Sequence, residues 1–226
     1  TTGAMTPPHR GHAQLLRQAR ARLEQEGYDV LAAWVSPSHD GYVGPKAGRL
    51  GTVHISSAFR LHLARLMLHG DDFVSVGAWE AQYDGLWPDF PVVAEALQRS
   101  LHDLGPALRG PSGKARVFYA CGTDHAERCG LYRGLGPDIG VVVVPREGER
   151  PDAERPKSLV FVATAAPGEL ATYSSTKIRK ALKEGDHAYV SNAISDAAAQ
   201  FLLAPTPEDH ACFKRDFRAL GVRARE

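Results

Sequence analysis

Apolar positions along the chain fall into two rhythms. Leu15, Leu16, Ala19 and Leu23 recur at helical spacing directly after a Gly/Pro-rich opening, and Ile55, Phe59, Leu63, Leu66 and Met67 do the same further on. From Asp89 to Leu104 the pattern sets Phe90, Val93, Leu97 and Leu101 on one face of a predicted helix. Short continuous apolar runs of strand type lie between these stretches: 28–35, ending at Ser36-Pro37; 73–76; 116–121, ending at Gly122-Thr123-Asp124; 141–144; and 158–164. The run of four valines at 141–144 suits a strand buried on both faces. Helices are predicted over Ser175–Lys183 and Ser191–Leu203, with only a weak helical pattern from Pro205 to Glu226. Residues 38–53 are polar and glycine-rich and read as an irregular loop long enough to carry function. Leu104 to Lys114 reads as a Gly/Pro-rich connection and 146–157 as a charged surface loop.

Strands alternating with helices predict an α/β fold, a doubly wound parallel sheet covered on both faces. No repeat or clear boundary interrupts the pattern, so residues 1–204 are expected to form one domain with a small C-terminal helical part, and 205–226 a tail. Ligands of such sheets sit beyond the carboxyl ends of the strands, where segments following different strands would converge on one cleft.

Composition narrows the function classes. The 226 residues are 43% hydrophobic and 23% charged, ordinary for a globular protein with a real core. A formal net charge of +1 gives no broad surface for nucleic acid or membrane, so neither is an expected partner, and any nucleotide must be held by a few placed groups. Three cysteines without a C-x-x-C pair fit a reducing compartment and offer no zinc framework. No apolar run reaches about 18 residues and no secretory signal is visible, so a cytoplasmic location is expected.

The opening Gly3-Ala4-Met5-Thr6-Pro7-Pro8-His9-Arg10-Gly11-His12 carries the strongest chemistry. A turn at a helix start collects backbone N–H groups and the positive end of the helix dipole, which suits a polyphosphate. His9 and His12 can donate ring N–H bonds to the same oxygens, and Gly11 lets a nucleotide approach the backbone. Of the ten histidines only these two have a spacing that argues chemistry. The motif resembles the G-x-F-x-P-x-H-x-G-H box of nucleotidyltransferases related to class I aminoacyl-tRNA synthetases, with Met5 in place of Phe. A second segment, Tyr173-Ser174-Ser175-Thr176-Lys177-Ile178-Arg179, reads alone as a capped helix with a basic solvent face. Beside the first box it resembles the I-S-S-T-x-I-R box of the same superfamily, with Tyr173 for Ile. Arg179, three residues after Thr176, brings a planar fork suited to phosphate.

The middle of the chain narrows the resemblance to nicotinamide/nicotinic acid mononucleotide adenylyltransferases of eukaryotic type. Ser36-Pro37-Ser38-His39-Asp40-Gly41-Tyr42 is similar to their S-P-x-x-D-x-Y loop, Trp79-Glu80 and Trp87 to their W-E…W segment, Gly122-Thr123-Asp124 to G-A-D, and Arg146-Glu147-Gly148 to R-x-G. Five departures stand out: Met5, Tyr173, the long segment 43–57, Phe59-Arg60 for His-Arg, and Leu131-Tyr132 for Leu-Trp. The resemblance implies a Rossmann-like domain that transfers AMP from ATP to the mononucleotide, giving NAD or its acid analogue and pyrophosphate. It implies that the first strand begins upstream of Thr1. It assigns His9, His12 and Arg179 to catalysis, with His12 near the α-phosphate. Gly3, Met5, Gly11, Ser174, Ser175, Thr176 and Lys46 are assigned to the rest of the ATP phosphate site, and Gly122 and Asp124 to ribose and adenine. Trp79, Glu80, Tyr132, Tyr42 and Arg146 are assigned to the mononucleotide. Mg2+ is expected through phosphates and water, with no protein ligand. A homo-oligomer stays open. Two alternatives stand beside this reading: a nucleotidyltransferase acting on a different phosphomonoester, and a non-catalytic binding or chaperone-like relative.

Overall fold

Among the described residues six short strands pair with one another in parallel: β1 (Thr2–Gly3), β2 (Ala33–Pro37), β3 (Val74–Val76), β4 (Phe118–Gly122), β5 (Gly140–Val144) and β6 (Val160–Val162). The computed structural model describes residues 1–104, 115–166 and 168–222. Two compact units divide the chain: one of Thr1, Leu15–Val30 and Pro88–Pro167, the other of Thr2–Gln14, Leu31–Trp87 and Gly168–Glu226. The fold is α/β, and among the described residues ten α-helices accompany the strands.

In the first unit the sheet order is β4-β5-β6. All five residues of β5 are buried, which accounts for the valine run. Gly140 opens that strand beneath the Phe118 ring, where a Cβ would collide with the ring. Phe118 in turn meets Tyr28 and Phe161 at ring centroids of 4.8 and 6.0 Å. The helix α1 (Arg10–Gln25) contributes its residues from Leu15 onward. There Arg22 grips Glu154 with a fork of two hydrogen bonds, 2.7 and 2.8 Å, and that carboxyl is held below its usual range chiefly by the Arg22 bond.

In the second unit the order is β1-β2-β3. The helices α2 (Asp40–Arg49) and α3 (Ser57–Met67) follow β2, and α4 (Phe90–Asp103) and α5 (Thr123–Cys129) belong to the first unit. The second unit is completed by α6 (Ser175–Glu184), α7 (His187–Ala193), α8 (Asp196–Leu203), α9 (Pro207–Cys212) and α10 (Lys214–Leu220). Phe59 of α3 anchors this helical part, with Phe201, Phe213 and Phe217 all at 5.2–5.3 Å from its ring.

Several expectations change. The irregular loop over 38–53 is largely the helix α2, despite Gly41, Gly44, Pro45 and Gly48. His39 caps it by accepting from the Gly41 N–H, and burial of Val43 and Ala47 outweighs the weak propensity. The first predicted strand shifts from 28–35 to Ala33–Pro37, because Tyr28 packs instead on Phe118. The single helix expected over Ser191–Leu203 is two, broken at Ile194 and restarted by the Ser195 cap. Gly122-Thr123-Asp124, where the predicted strand ends, runs straight into α5, which starts at Thr123. The weakly patterned segment after Pro205 forms α9 and α10, with Phe217 and Leu220 buried. Beyond Leu104 the predicted Gly/Pro connection lies outside the described residues. Among the described residues no helix is long and apolar enough to cross a membrane.

Candidate active site

Three consecutive segments of the second unit leave the carboxyl ends of three paired parallel strands, so they share one edge of the sheet. The segment after β1 carries Met5 to His12, that after β2 carries Ser38 to Lys46, and that after β3 carries Trp79 and Glu80.

The first segment is a tightly held turn. Met5 is buried and left-handed, with φ +47°, a conformation that costs a non-glycine residue about 1 kcal/mol or more. Its neighbouring carbonyls are each bonded by a side chain. Arg60 Nη1 donates to Ala4 O at 3.1 Å, Arg179 Nη1 to Thr6 O at 2.7 Å, and Ser175 Oγ to Pro7 O at 2.7 Å. The two boxes recognised in sequence therefore meet directly, at the N-termini of α1 and α6. Ser174 caps α6 by accepting from the Lys177 N–H, and Thr176 Oγ1 accepts from Arg179 Nη2 at 3.2 Å.

The histidine rings lie 3.9 Å apart by centroid. His9 Nδ1 accepts from the Gly11 N–H, and His12 Nδ1 accepts from the His9 N–H, each at 3.1 Å. A backbone N–H can only donate, so the Gly11 bond assigns the His9 ring proton to Nε2; His12 Nδ1 also lies 3.2 Å from His9 O, and its tautomer decides which of the two contacts it makes. Burial pushes His12 down to about 4, against a bond to the His9 backbone that raises it, so the ring is neutral at pH 7. A Cβ on Gly11 would lie 2.9 Å from His9 Nδ1, so glycine there keeps the His9 ring seated. A Cβ on Gly3 would meet only the Met5 side chain, at 3.7 Å.

On the second segment Tyr42 stands on α2 with Lys46 one turn on; Lys46 Nζ lies 3.2 Å from the Tyr42 hydroxyl and 5.1 Å from its ring centre. Tyr42 also faces Trp87 at 5.2 Å. Lys46, expected on a loop, is thus on a helix. On the third segment Trp79 is 43% exposed and leans on Tyr83 at 5.0 Å, while Glu80 is buried. Ser36 Oγ donates to Glu80 Oε2 at 2.7 Å, and burial raises the Glu80 carboxyl above its usual range.

The remaining expected residues belong to the first unit. Gly122 ends β4 with open space where a Cβ would stand, and Asp124 is exposed in the first turn of α5. Arg146 is exposed after β5, its N–H bonded to the Glu149 carboxylate at 2.9 Å. Tyr132 departs from the expectation of an open stacking ring: it precedes β5, packs in the core cluster with Leu131 and Val160, and is 4% exposed. Among the described residues no group of three or more His, Cys, Asp or Glu could hold a metal ion.

Two residues are given no role by the sequence reading. Arg60 is fully buried, and its Nη2 donates to Asp40 Oδ1 at 2.7 Å. Its position was legible: Arg60 shares a helical face with Leu63, Ala64 and Met67, where a charge requires a buried partner. Asp216 of α10 accepts from the Ser56 N–H and hydroxyl at the start of α3; nothing local in the sequence signals that pairing.

No family model matches the chain. It is 28% identical to a nicotinamide/nicotinic acid mononucleotide adenylyltransferase of Oryza sativa subsp. japonica, over 81% of this chain and 75% of the relative. An Arabidopsis thaliana protein of the same name is 26% identical over 81% and 79% of the two chains. The chain is similar to members of this family over most of its length. A third member, nicotinamide/nicotinic acid mononucleotide adenylyltransferase 2 of Xenopus tropicalis, is 23% identical over 81% of this chain and 87% of its own. In this chain the carbonyls of Ala4, Thr6 and Pro7 are clasped by Arg60, Arg179 and Ser175.

Proposed function

We propose that the protein transfers the adenylyl group of ATP to nicotinamide or nicotinic acid mononucleotide. The observation that carries this reading is the direct bonding of the second box, through Ser175 and Arg179, to the turn that seats His9 and His12. The 5′-phosphate of the mononucleotide attacks the α-phosphorus of ATP. A new P–O bond forms, the bond from the α-phosphorus to the oxygen it shares with the β-phosphate breaks, and pyrophosphate leaves. A phosphate monoester with a second pKa of about 6 is already a dianion at neutral pH, so no general base is required. Catalysis then rests on holding two anions in line and stabilising charge on the transferring phosphorus and the leaving group.

In this reading His12, as its Nε2–H tautomer, donates to the α-phosphate region and His9 to the outer phosphates. A neutral imidazole does this at pH 7 without prior protonation. Ser174, Ser175, Thr176 and Arg179 hold the β- and γ-phosphates at the N-terminus of α6, with Lys46 adding charge. Gly3, Met5 and Gly11 provide the close backbone approach. Trp79, with its exposed face, takes the pyridinium ring by cation–π stacking, and it is preferred over the buried Tyr132. Glu80 and Tyr42 orient the mononucleotide. Gly122 and Asp124 for the ribose and adenine of ATP, and Arg146 for the mononucleotide, rest on the sequence resemblance. Magnesium, when bound, would supply charge neutralisation on the phosphates.

Pyrophosphate release is measured with ATP and magnesium and either nicotinamide or nicotinic acid mononucleotide. Release that depends on a mononucleotide supports the reading, and the two rates give the amide or acid preference. Release from neither, with ATP still bound, would leave the phosphate site and remove the pyridine assignment.

A further inference from the structure

Arg60 makes three bonds from a site closed to solvent. Nε donates to Ile55 O at 3.1 Å, Nη1 to Ala4 O at 3.1 Å and Nη2 to Asp40 Oδ1 at 2.7 Å. Ala4 immediately precedes the left-handed Met5 of the first turn, and Asp40 is the first residue of α2, which carries Tyr42 and Lys46. Asp40 is held from a second side, accepting at Oδ2 from the Ser57 N–H at 2.9 Å, and His54 Nε2 stands 3.4 Å from Oδ1. The charges of Glu80 and Asp216 also act on Arg60. One guanidinium thus links the turns following β1 and β2, and a planar fork can serve both ends at fixed spacing in a way that an ammonium cannot.

We infer that Arg60 is a positioning residue that locks the phosphate turn at Ala4–Met5 to the mononucleotide-side helix α2 through Asp40, setting the register between the two substrates. This deepens the proposed adenylyl transfer and rests on it. Arg60 touches neither substrate; it acts through the Ala4 carbonyl and the Asp40 carboxylate. The charge alone is not sufficient. Lysine would keep it beside Asp40, Glu80 and Asp216 but could not hold Ala4 O, Ile55 O and Asp40 together.

Arg60→Lys and Asp40→Ala are compared with Asp216→Asn, a change in the same helical cluster that touches neither Ala4 nor Asp40. Steady-state kinetics are normalised to folded protein, and Kd for ATP is measured by calorimetry. Arg60→Lys is expected to lower kcat at least tenfold and to weaken ATP at least threefold. Asp40→Ala, which leaves the Ala4 bond intact, is expected to raise KM for the mononucleotide at least fivefold and, through Lys46 of the same helix, to weaken ATP less than Arg60→Lys does. Asp216→Asn is expected to lower Tm with kcat and both substrate constants within twofold. A merely structural Arg60 would give Arg60→Lys the same pattern as Asp216→Asn, which overturns the inference. Should Arg60→Lys fail to fold, Asp40→Ala decides: an unchanged KM for the mononucleotide overturns the inference. If the wild type makes no dinucleotide, adenylyl transfer fails as a reading. Arg60 is then judged by ATP binding alone, and equal Kd in wild type and Arg60→Lys overturns it.

Discussion

Acidification should reveal the state of His12 before any substrate is added. Burial holds the folded pKa at about 4, against 6.5 for a free imidazole. Above pH 6.5 the ring is neutral in both folded and unfolded chains and adds nothing to pH dependence. Below it the unfolded chain takes up a proton that the folded protein refuses until about pH 4, so stability falls across that window. The full difference corresponds to about 3 kcal/mol, and about 2 kcal/mol of it is lost by pH 5. These are ceilings, since the His12 ring is only partly buried. Urea denaturation of the wild type and His12→Gln at pH 7, 6 and 5 isolates this contribution, because the other titrating groups are present in both and cancel. The stability difference between the two proteins should shift against the wild type by roughly 1–2 kcal/mol from pH 7 to pH 5. A difference constant to within about 0.5 kcal/mol would refute a His12 that stays neutral down to about pH 4. It would equally remove the argument that the ring meets phosphate as an uncharged N–H donor.

Gly11→Ala should drive the His9 ring off the Gly11 N–H, because the new Cβ would sit 2.9 Å from it; kcat is expected to fall about tenfold or more while Tm moves by only a few degrees in a thermal melt. Trp79→Ala should raise KM for the mononucleotide by roughly five- to thirtyfold, the worth of one cation–π contact, with Kd for ATP within twofold. Gly140→Ala should destabilise by about 1–3 kcal/mol in denaturant titrations, because the Phe118 ring fills the space.

The parts of this site that the sequence revealed are those whose chemistry is local. Gly11 between two histidines, and a capping serine followed by Thr176 and Arg179, announce themselves by spacing within one turn of helix. The bonds from Ser175 and Arg179 to the Pro7 and Thr6 carbonyls span some 170 positions of chain, yet both ends were recognisable separately. The helix α2 was hidden because three glycines and a proline outvote a single apolar stripe, Val43 and Ala47, whose burial only tertiary packing supplies. Tyr132 was misleading for a related reason. An aromatic residue after a short helix fits a stacking platform and a core filler equally well, and packing on Leu131 and Val160 makes it the latter. Arg60 could have been read from its place on the apolar face of α3, but its partners Ala4 and Asp40 come from two other segments. The terminal helices depended on Phe217 and Leu220 finding α3 and its neighbours, which no pattern within 205–226 could indicate.

The most direct test of adenylyl transfer follows the label from ATP carrying radioactive phosphorus at the α position, incubated with magnesium, nicotinamide mononucleotide and the protein, with products resolved by chromatography and mass. Label in a dinucleotide of the mass of NAD, with unlabelled pyrophosphate and its loss on Arg179→Ala, is the predicted result. Label remaining in ATP, or appearing only in AMP, would contradict it.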